Sequence, residues 1–240
     1  MRMLTTLVTG LYETIPIHRA LQARWAPKNP AAADAIRAAL VVCADHELNV
    51  SAFTARCVAS TGSSPYDVVA AALAALKGSK HGGASACVSR LFDDAGAPKR
   101  AHRILASRLR NGERVPGFGH PLYPRGDPRG GLLLGLAESS GNRNEWRFIR
   151  SMSQAARDLS HDLPNLDFGL VALARAYRFP VNAPILMFAL GRTIGWIGHA
   201  IEQYAQNELI RPRARYIGPA PPESCQRKRE LRSVSPSQSS

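Results

Sequence analysis

Apolar and polar residues follow each other along most of this chain with the spacing of helices. Apolar positions recur three and four residues apart, and clusters of glycine, proline and polar residues separate the periodic segments. The period-two alternation typical of half-buried strands is not sustained. We therefore expect an all-α fold. The predicted helices span 31–43, 48–59, 66–76, a short segment ending at 91, 99–111, 132–137, 145–159, 168–177, 183–194 and 196–206.

The net charge narrows the range of partners. The chain has 240 residues and carries 31 Lys and Arg against 18 Asp and Glu, a net charge of +13. Such a charge is typical of proteins that bind nucleic acid or an anionic small ligand. The arginines are scattered, aromatic residues make up only 7% and no nucleic-acid-reading motif is present. We therefore expect an anionic small ligand and no nucleic acid.

Several composition features bear on the compartment and on metals. No run of eighteen apolar residues occurs, so no membrane span is predicted, and the N-terminus lacks the pattern of a signal peptide. The four cysteines stand apart without a C-x-x-C pair, which predicts no zinc site and fits reduced thiols in the cytoplasm. The segment 220–240, rich in Pro, Ser and Arg, is predicted to be disordered.

Two histidines interrupt the helical pattern in polar segments. His46 lies between two acidic residues, and His81 precedes two glycines that allow the backbone to approach a ligand closely. Each also has a purely structural explanation. The first segment is compatible with a helix N-terminus that favours acidic residues, and the second with a surface turn between helices.

The segment "GFGHPLYPRGDPRG", residues 117–130, predicts a stiff loop that holds functional side chains. Its glycines free the backbone while its prolines restrict it, and His120, Arg125 and Arg129 are the candidate polar groups. A domain linker is the alternative, but a linker would not need Phe118 and Tyr123 as anchors. Fixed geometry is what catalysis requires of its side chains.

Further candidates are an acid and several arginines. Asp167 immediately precedes an apolar helical run, where either Asn165 or Asp167 could serve as the N-cap, so spacing does not distinguish a cap from a base. Arg192 lies in a mostly apolar segment and needs a partner if buried. The segment 211–215 adds arginines from Arg211 onwards, which suit carboxylates but also occur on solvated basic edges.

The order of these segments resembles that of the citrate synthase family over roughly residues 10–219. The matching motifs are "ADHELN", "LKGSKHGGA", "PGFGHPLYPRGDPR", "PNLDF", "LGRTIGWIGHAIEQ" and "RPRARYIGP". The resemblance implies condensation of acetyl-CoA with oxaloacetate, followed by hydrolysis of citryl-CoA, with no metal and no permanently bound cofactor. Asp167 would be the base, His81 the group that stabilises the enol, and His120 the group that polarises the ketone.

The resemblance also implies the ligand contacts and the assembly. His46, Arg129, Arg192 and Arg211 would bind oxaloacetate, with the last supplied by the other subunit of a dimer. The coenzyme would lie against Gly117, Phe118, Gly119 and Arg125. The implied domains are the remaining part of a large domain at 1–88, a small domain at 89–181 and a return to the large domain at 182–219.

The chain departs from the family pattern in two respects. Only 43 residues precede Ala44, whereas family members usually carry many more, which implies a truncated large domain. Pro121 and Pro124 replace an Arg and a Lys that many members have in the loop, and Arg125 could replace one of these charges. Three readings follow: a citrate synthase, a 2-methylcitrate synthase that uses propionyl-CoA, or a non-catalytic subunit that pairs with itself or with a full-length relative.

Overall fold

The computed structural model describes residues 2–10, 14–78, 81–215 and 217–219. These residues form eleven α-helices and one 3₁₀ turn at Pro98–Arg100, and they contain isolated bridges but no strand. The all-α prediction is therefore confirmed. The helices are α1 Arg2–Thr9, α2 Ile17–Trp25, α3 Ala32–Cys43, α4 Val50–Ala59, α5 Pro65–Leu76, α6 Ala84–Ala95, α7 Ala101–Arg110, α8 Pro128–Glu138, α9 Arg143–Ser160, α10 Leu166–Ala176 and α11 Ala183–Gln206.

Side-chain caps explain where several helices begin. The side chain of Asn49 accepts hydrogen bonds from the first amides of α4, and Asn165 does the same for α10. Ser64 and Asp67 form a reciprocal capping box at the start of α5. Asp127 caps α8, and the proline that follows it occupies the first helical position. The predicted start of the helix at 132 is therefore four residues too late.

Two other predictions about helices are wrong. Helices α1 and α2 were not predicted, and the predicted break between 194 and 196 does not exist, because α11 runs for 24 residues. Gly191 and Gly195 allow close packing instead of ending the helix. A Cβ at Gly191 would lie 2.5 Å from the carbonyl oxygen of Leu40, and one at Gly195 would lie 2.2 Å from that of Ala44.

Helix α11 is the central element of the core. It packs against α3, α4 and α5, while α10 packs against α6, α8 and α9 and is buried on nearly every side. Among the described residues it is the helix whose length and composition would suffice to cross a membrane, and 56% of its most apolar window is buried within the protein. Its Trp196 and Arg192 are fully buried, as expected of a core helix, and the buried charge of Arg192 requires hydrogen-bond partners or a counter-ion.

The chain divides into two compact units, residues 1–210 and 211–240. The helices all belong to the first unit. In the second, the described residues 211–215 and 217–219 are exposed and form no helix. The predicted disorder of 220–240 lies outside the described residues. The predicted boundaries at 88 and 181, between a large and a small domain, stay a prediction.

Candidate active site

A short loop between α3 and α4, residues 44–49, carries His46. We call it the His46 loop. Asn49 fixes its end, because the same side chain that caps α4 donates from Nδ2 to the carbonyl oxygen of His46 at 3.3 Å. Glu47 adopts a left-handed conformation with φ of 52°, which non-glycine residues seldom occupy. The loop is therefore held in one strained shape that leaves the His46 ring half-buried.

His46, His120 and Tyr123 form an aromatic cluster between the His46 loop and the 117–130 segment. The two imidazole rings meet edge to face with centroids 5.2 Å apart, and Tyr123 Oη lies 3.0 Å from His46 Nε2. The backbone amide of Leu122 donates to His120 Nδ1 at 3.1 Å. A neutral His120 consequently carries its proton on Nε2.

Both imidazoles of the cluster favour the neutral form. Burial lowers the pKa of His46, and the charge of Arg129 lowers it further. The same two causes, burial first, lower the pKa of His120, although Asp127 acts in the opposite direction. At neutral pH His120 is therefore a hydrogen-bond donor through Nε2 and not a cation.

Arg129 is held by Asp127. The guanidinium donates from Nε and Nη2 to the carboxylate at 2.9 and 2.8 Å, and its own amide donates to the same group at 3.0 Å. Burial alone would raise the pKa of Asp127, but the hydrogen bonds and charge of Arg129 outweigh it, so the pKa is lowered. A guanidinium has five N–H donors, and the Nη1 donors remain for a ligand.

Arg192 is a buried cation without a carboxylate partner among the described residues. It is 2% exposed, donates from Nε to the carbonyl oxygen of Cys43 at 2.6 Å and lies over the ring of Phe188. Burial lowers its pKa, and Arg129 adds a like charge that lowers it further. Because a buried charge is unfavourable without a counter-ion, this arrangement favours an anionic ligand.

Asp167 lies in the first turn of α10, and its carboxylate makes no side-chain hydrogen bond with the described residues. Asn165 is the cap of this helix, accepting from the amides of Asp167 and Phe168 at 3.0 and 3.3 Å. The ambiguity between cap and base is thereby resolved in favour of a free carboxylate at Asp167. Burial raises the pKa of Asp167 to about 7, even though the charge of Arg129 opposes the shift.

His81 is fixed through the hydroxyl of Ser51. Ser51 Oγ lies 2.8 Å from Asn49 Oδ1, 3.1 Å from Trp196 Nε1 and 2.9 Å from His81 Nε2. Asn49 Oδ1 accepts two backbone N–H groups and is therefore an acceptor only. The single hydroxyl proton of Ser51 must then point to Asn49 Oδ1, and Ser51 Oγ accepts hydrogen bonds from His81 Nε2 and Trp196 Nε1. Burial lowers the pKa of His81, and the neutral ring then offers Nδ1 as an acceptor.

The described structure brings most of the predicted site residues together. The charge of Arg129 acts on His46, His120, Asp167 and Arg192. The charge of Arg192 acts on His46 and His81. Arg211 belongs to the second compact unit and is exposed there.

The residues predicted to bind the coenzyme differ in which of their groups remain free for a ligand. Gly117 and Gly119 have φ of 86° and 70°, and their backbones hydrogen-bond to Asn165 and Leu163. The ring of Phe118 is buried against Phe168, with centroids 4.7 Å apart, so only its backbone remains for a ligand. The Arg125 side chain is exposed.

The contacts of three residues that shape this site were not predicted from the sequence. Ser51 determines where His81 carries its proton, Asp127 holds Arg129, and Tyr123 hydrogen-bonds to His46. A signal existed for Asp127, because Asp-Pro is a frequent helix start and Arg129 follows it within reach of the cap. The contact of Tyr123 with a residue 77 positions away had no local signal.

The donor set of this site is that of an anion site. The described residues contain no group of three His, Cys, Asp or Glu side chains that could hold a metal ion. Two arginines, neutral imidazoles and one carboxylate of raised pKa can bind carboxylates, polarise a carbonyl and remove a proton from carbon.

Comparison with known proteins identifies relatives of this chain. The family profile described as "Citrate synthase, C-terminal domain" matches residues 13–213. Citrate synthase 2 of Bacillus subtilis is 36% identical over 195 residues, which is 80% of this chain and 52% of that protein. 2-Methylcitrate synthase 1 of Corynebacterium glutamicum is 35% identical over 183 residues, 75% of this chain and 48% of that protein. The chain thus spans about half the length of these curated relatives.

Two solved structures share the fold. A citrate synthase from Thermoplasma acidophilum, in ternary complex with carboxymethyl coenzyme A and oxaloacetate, is 33% identical with a TM-score of 0.73 and covers 86% of this chain and 57% of that chain. A citryl-CoA lyase from Hydrogenobacter thermophilus has a TM-score of 0.74 and covers 91% of each chain. At 24% identity the second likeness bears on the fold alone.

Proposed function

Because this chain belongs to the citrate synthase family, we propose that its site condenses acetyl-CoA with oxaloacetate and hydrolyses citryl-CoA to citrate and CoA. This makes the chain an acyltransferase of the citrate synthase type. The proposal is carried by the state of the Asp167 carboxylate. Its pKa is raised to about 7, and it accepts no side-chain hydrogen bond from the described residues, so it is free to take a proton from a substrate. A carboxylate of ordinary pKa is a weak base for a C–H proton, and burial makes the carboxylate more basic by raising its pKa.

Oxaloacetate would bind at the arginines and the imidazole cluster. Arg192 lacks a carboxylate partner among the described residues, and Arg129 retains its Nη1 donors, so each can take one carboxylate. The Nε2–H of His120 would donate to the ketone oxygen, which gains negative charge when its carbon is attacked. His46 would contribute a hydrogen bond to the same substrate, and Arg211 of the other subunit of a dimer would be a further carboxylate ligand.

The acyl donor requires a base and a hydrogen-bond donor. Asp167 would remove a methyl proton from acetyl-CoA, and His81 would stabilise the oxygen of the resulting enol. For this role the resting arrangement would reverse: the Ser51 hydroxyl would donate to His81 Nε2 instead of Asn49 Oδ1. His81 would then carry its proton on Nδ1 and could donate it in a hydrogen bond to the enol oxygen. The enol carbon then attacks the ketone carbon, and water cleaves the thioester to release CoA.

The coenzyme would lie along Gly117, Phe118 and Gly119, where open backbone can approach it, with Arg125 near its phosphates. We expect the chain to need no metal and to hold no permanently bound cofactor. The family resemblance, which implies that Arg211 comes from the other subunit, supports a dimer as the working unit, formed with a second copy or with a full-length relative. The cytoplasm is the compartment that reduced cysteines fit.

A second candidate is the 2-methylcitrate synthase reaction, in which propionyl-CoA replaces acetyl-CoA. The identity of 35% to 2-methylcitrate synthase 1 of Corynebacterium glutamicum supports it nearly as well as the first candidate is supported. The two reactions use the same base and the same acceptor, and they differ only in the room left for one methyl group. The third candidate, a non-catalytic subunit, predicts a folded chain without turnover.

The test measures thiol release from acetyl-CoA and from propionyl-CoA in the presence of oxaloacetate. Wild type, Asp167→Asn and Asp34→Asn are compared, because Asp34 lies in the first turn of α3 and its side chain is exposed. We expect Asp167→Asn to lose turnover by about 100- to 10,000-fold, the usual contribution of a general base. Its oxaloacetate affinity should stay nearly intact, and Asp34→Asn should match the wild type.

The better acyl donor decides between the two condensation reactions. Equal activity of Asp167→Asn and wild type would remove Asp167 as the base. A folded wild type that releases no thiol from either donor would favour the non-catalytic subunit, and addition of a full-length relative would then test for a shared site.

A further inference from the structure

One face of α11 lies directly against the backbone that enters the His46 loop. Residues 191, 195 and 199 are four apart and share this face. A Cβ at Gly195 would lie 2.2 Å from the carbonyl oxygen of Ala44 and 3.4 Å from Asp45 Oδ1. Only glycine permits this approach, and it brings the next residue on the face, His199, to the side chain that precedes His46.

His199 presents a buried hydrogen-bond donor to Asp45. Its Nδ1 lies 3.3 Å from Arg56 Nη1, and because arginine only donates, Nδ1 accepts and the neutral ring carries its proton on Nε2. His199 Nε2 lies 3.4 Å from Asp45 Oδ1. That nitrogen is buried and forms no well-aligned hydrogen bond with any described residue. A buried donor in this state is unusual and calls for an explanation.

Arg56 keeps the imidazole of His199 in place. From α4 it donates to three side chains of α11: to Glu202 Oε2 at 2.8 Å, to Gln203 Oε1 at 3.2 Å and to Gln206 Oε1 at 3.2 Å. The guanidinium is thereby fixed between two helices, and so is the ring nitrogen that faces it. We call the whole chain of contacts the Asp45–His199–Arg56 network.

The network acts on the strained part of the His46 loop. Glu47 holds a left-handed conformation, and such a residue keeps it only when the surroundings restrain both of its sides. On the far side, Asn49 Nδ2 donates to the carbonyl oxygen of His46. On the near side, Asp45 and its contact with His199 supply the restraint.

We propose that His199 is a positioning residue, whose Nε2–H, aimed by Arg56, holds Asp45 and so fixes the turn that presents His46 to the substrate. The role of His46 in this inference rests on the proposed function. Because this contact restrains the His46 loop before a ligand arrives, its loss should weaken ligand binding.

The test compares His199→Ala with His199→Gln, whose amide N–H replaces the lost donor near the position of Nε2. Oxaloacetate is titrated by calorimetry. We expect His199→Ala to bind about tenfold more weakly, the scale of one hydrogen bond to a charged group, and His199→Gln to recover most of the loss. His102→Ala, which removes an exposed imidazole from α7, should bind as the wild type does.

A second readout does not depend on the proposed function. With ¹⁵N-labelled histidine, the ring signals of His46 should shift or broaden in ligand-free His199→Ala and return to their wild-type positions in His199→Gln. A wild type that binds no oxaloacetate would contradict the proposed function, and these signals would still test the positioning role.

Three results would overturn the inference. The first is an His199→Ala protein with wild-type affinity and unchanged His46 signals. The second is equal impairment of His199→Ala and His199→Gln, which would indicate packing instead of the donor. Asp45→Ala covers the case in which His199→Ala does not fold, because the Asp45 side chain is 60% exposed. An Asp45→Ala protein with unchanged affinity and unchanged ring signals would be the third.

Discussion

Replacing Asp167 with asparagine should stabilise the fold while removing the base. Burial raises the pKa of Asp167 to about 7, whereas an aspartate in the unfolded chain titrates near its ordinary value. Between these two values the native state binds a proton that the unfolded state has released. The free energy of unfolding of the wild type therefore falls as the pH rises across this window, and asparagine removes that dependence.

The size of the effect follows from the two pKa values. With about 3.9 unfolded and about 7 folded, ionisation of Asp167 lowers the free energy of unfolding by about 2.6 kcal/mol more at pH 8 than at pH 5. The side chain is half-buried and water relieves part of the penalty, so this figure is an upper value. The stability advantage of Asp167→Asn should therefore grow by about 1.5–2.6 kcal/mol from pH 5 to pH 8.

Urea unfolding followed by circular dichroism measures this difference at both pH values. Asp34→Asn serves as the control, because it removes an exposed first-turn carboxylate and should change stability by the same small amount at pH 5 and pH 8. A stability difference between Asp167→Asn and wild type that stays constant with pH would refute the raised pKa. It would also remove the main physical reason for assigning the base to Asp167.

Three further substitutions test the anion site. Arg192→Met should leave the thermal midpoint equal or higher, since it removes a buried charge, and should weaken oxaloacetate binding more than tenfold in a calorimetric titration. Arg129→Leu should lower stability by about 3–5 kcal/mol in urea because it leaves Asp127 buried and unpaired, and adding Asp127→Asn should recover part of this stability without restoring ligand binding. Tyr123→Phe frees Nε2 of His46 and should tighten oxaloacetate binding by about fivefold, the scale of one neutral hydrogen bond; weaker binding would mean that the hydroxyl contacts the ligand.

The α-helices that the sequence predicted have ten residues or more, whereas the two that it missed have eight and nine. Helix α1 is eight residues long and contains Thr and Val, which disfavour helix, and the N-cap residue of α2, Pro16, makes no side-chain capping hydrogen bond. The predicted break at Gly195 failed for a different reason. A glycine can end a helix or allow a close approach between helices, and only the packing partner at Ala44 distinguishes the two.

Candidate site residues could be selected from motifs, but their protonation states could not. His81, His120 and Asp167 stand in recognisable segments, yet protonation depends on neighbours that are distant in sequence. Ser51 is 30 residues from His81, and the buried Arg192 is bonded to Cys43 across 149 residues. Long-range contacts of this kind decide burial, and burial determines the pKa values in this cluster.

The charges of the site support a fixed order of events under the proposed function. Arg129 lowers the pKa of Asp167, so its positive charge weakens the base while the site is empty. A dicarboxylate bound at Arg129 and Arg192 would neutralise that charge, and the pKa of Asp167 would rise further. The base would thus become strongest only after the acceptor has bound, which would limit proton removal from acyl-CoA when no acceptor is present to react.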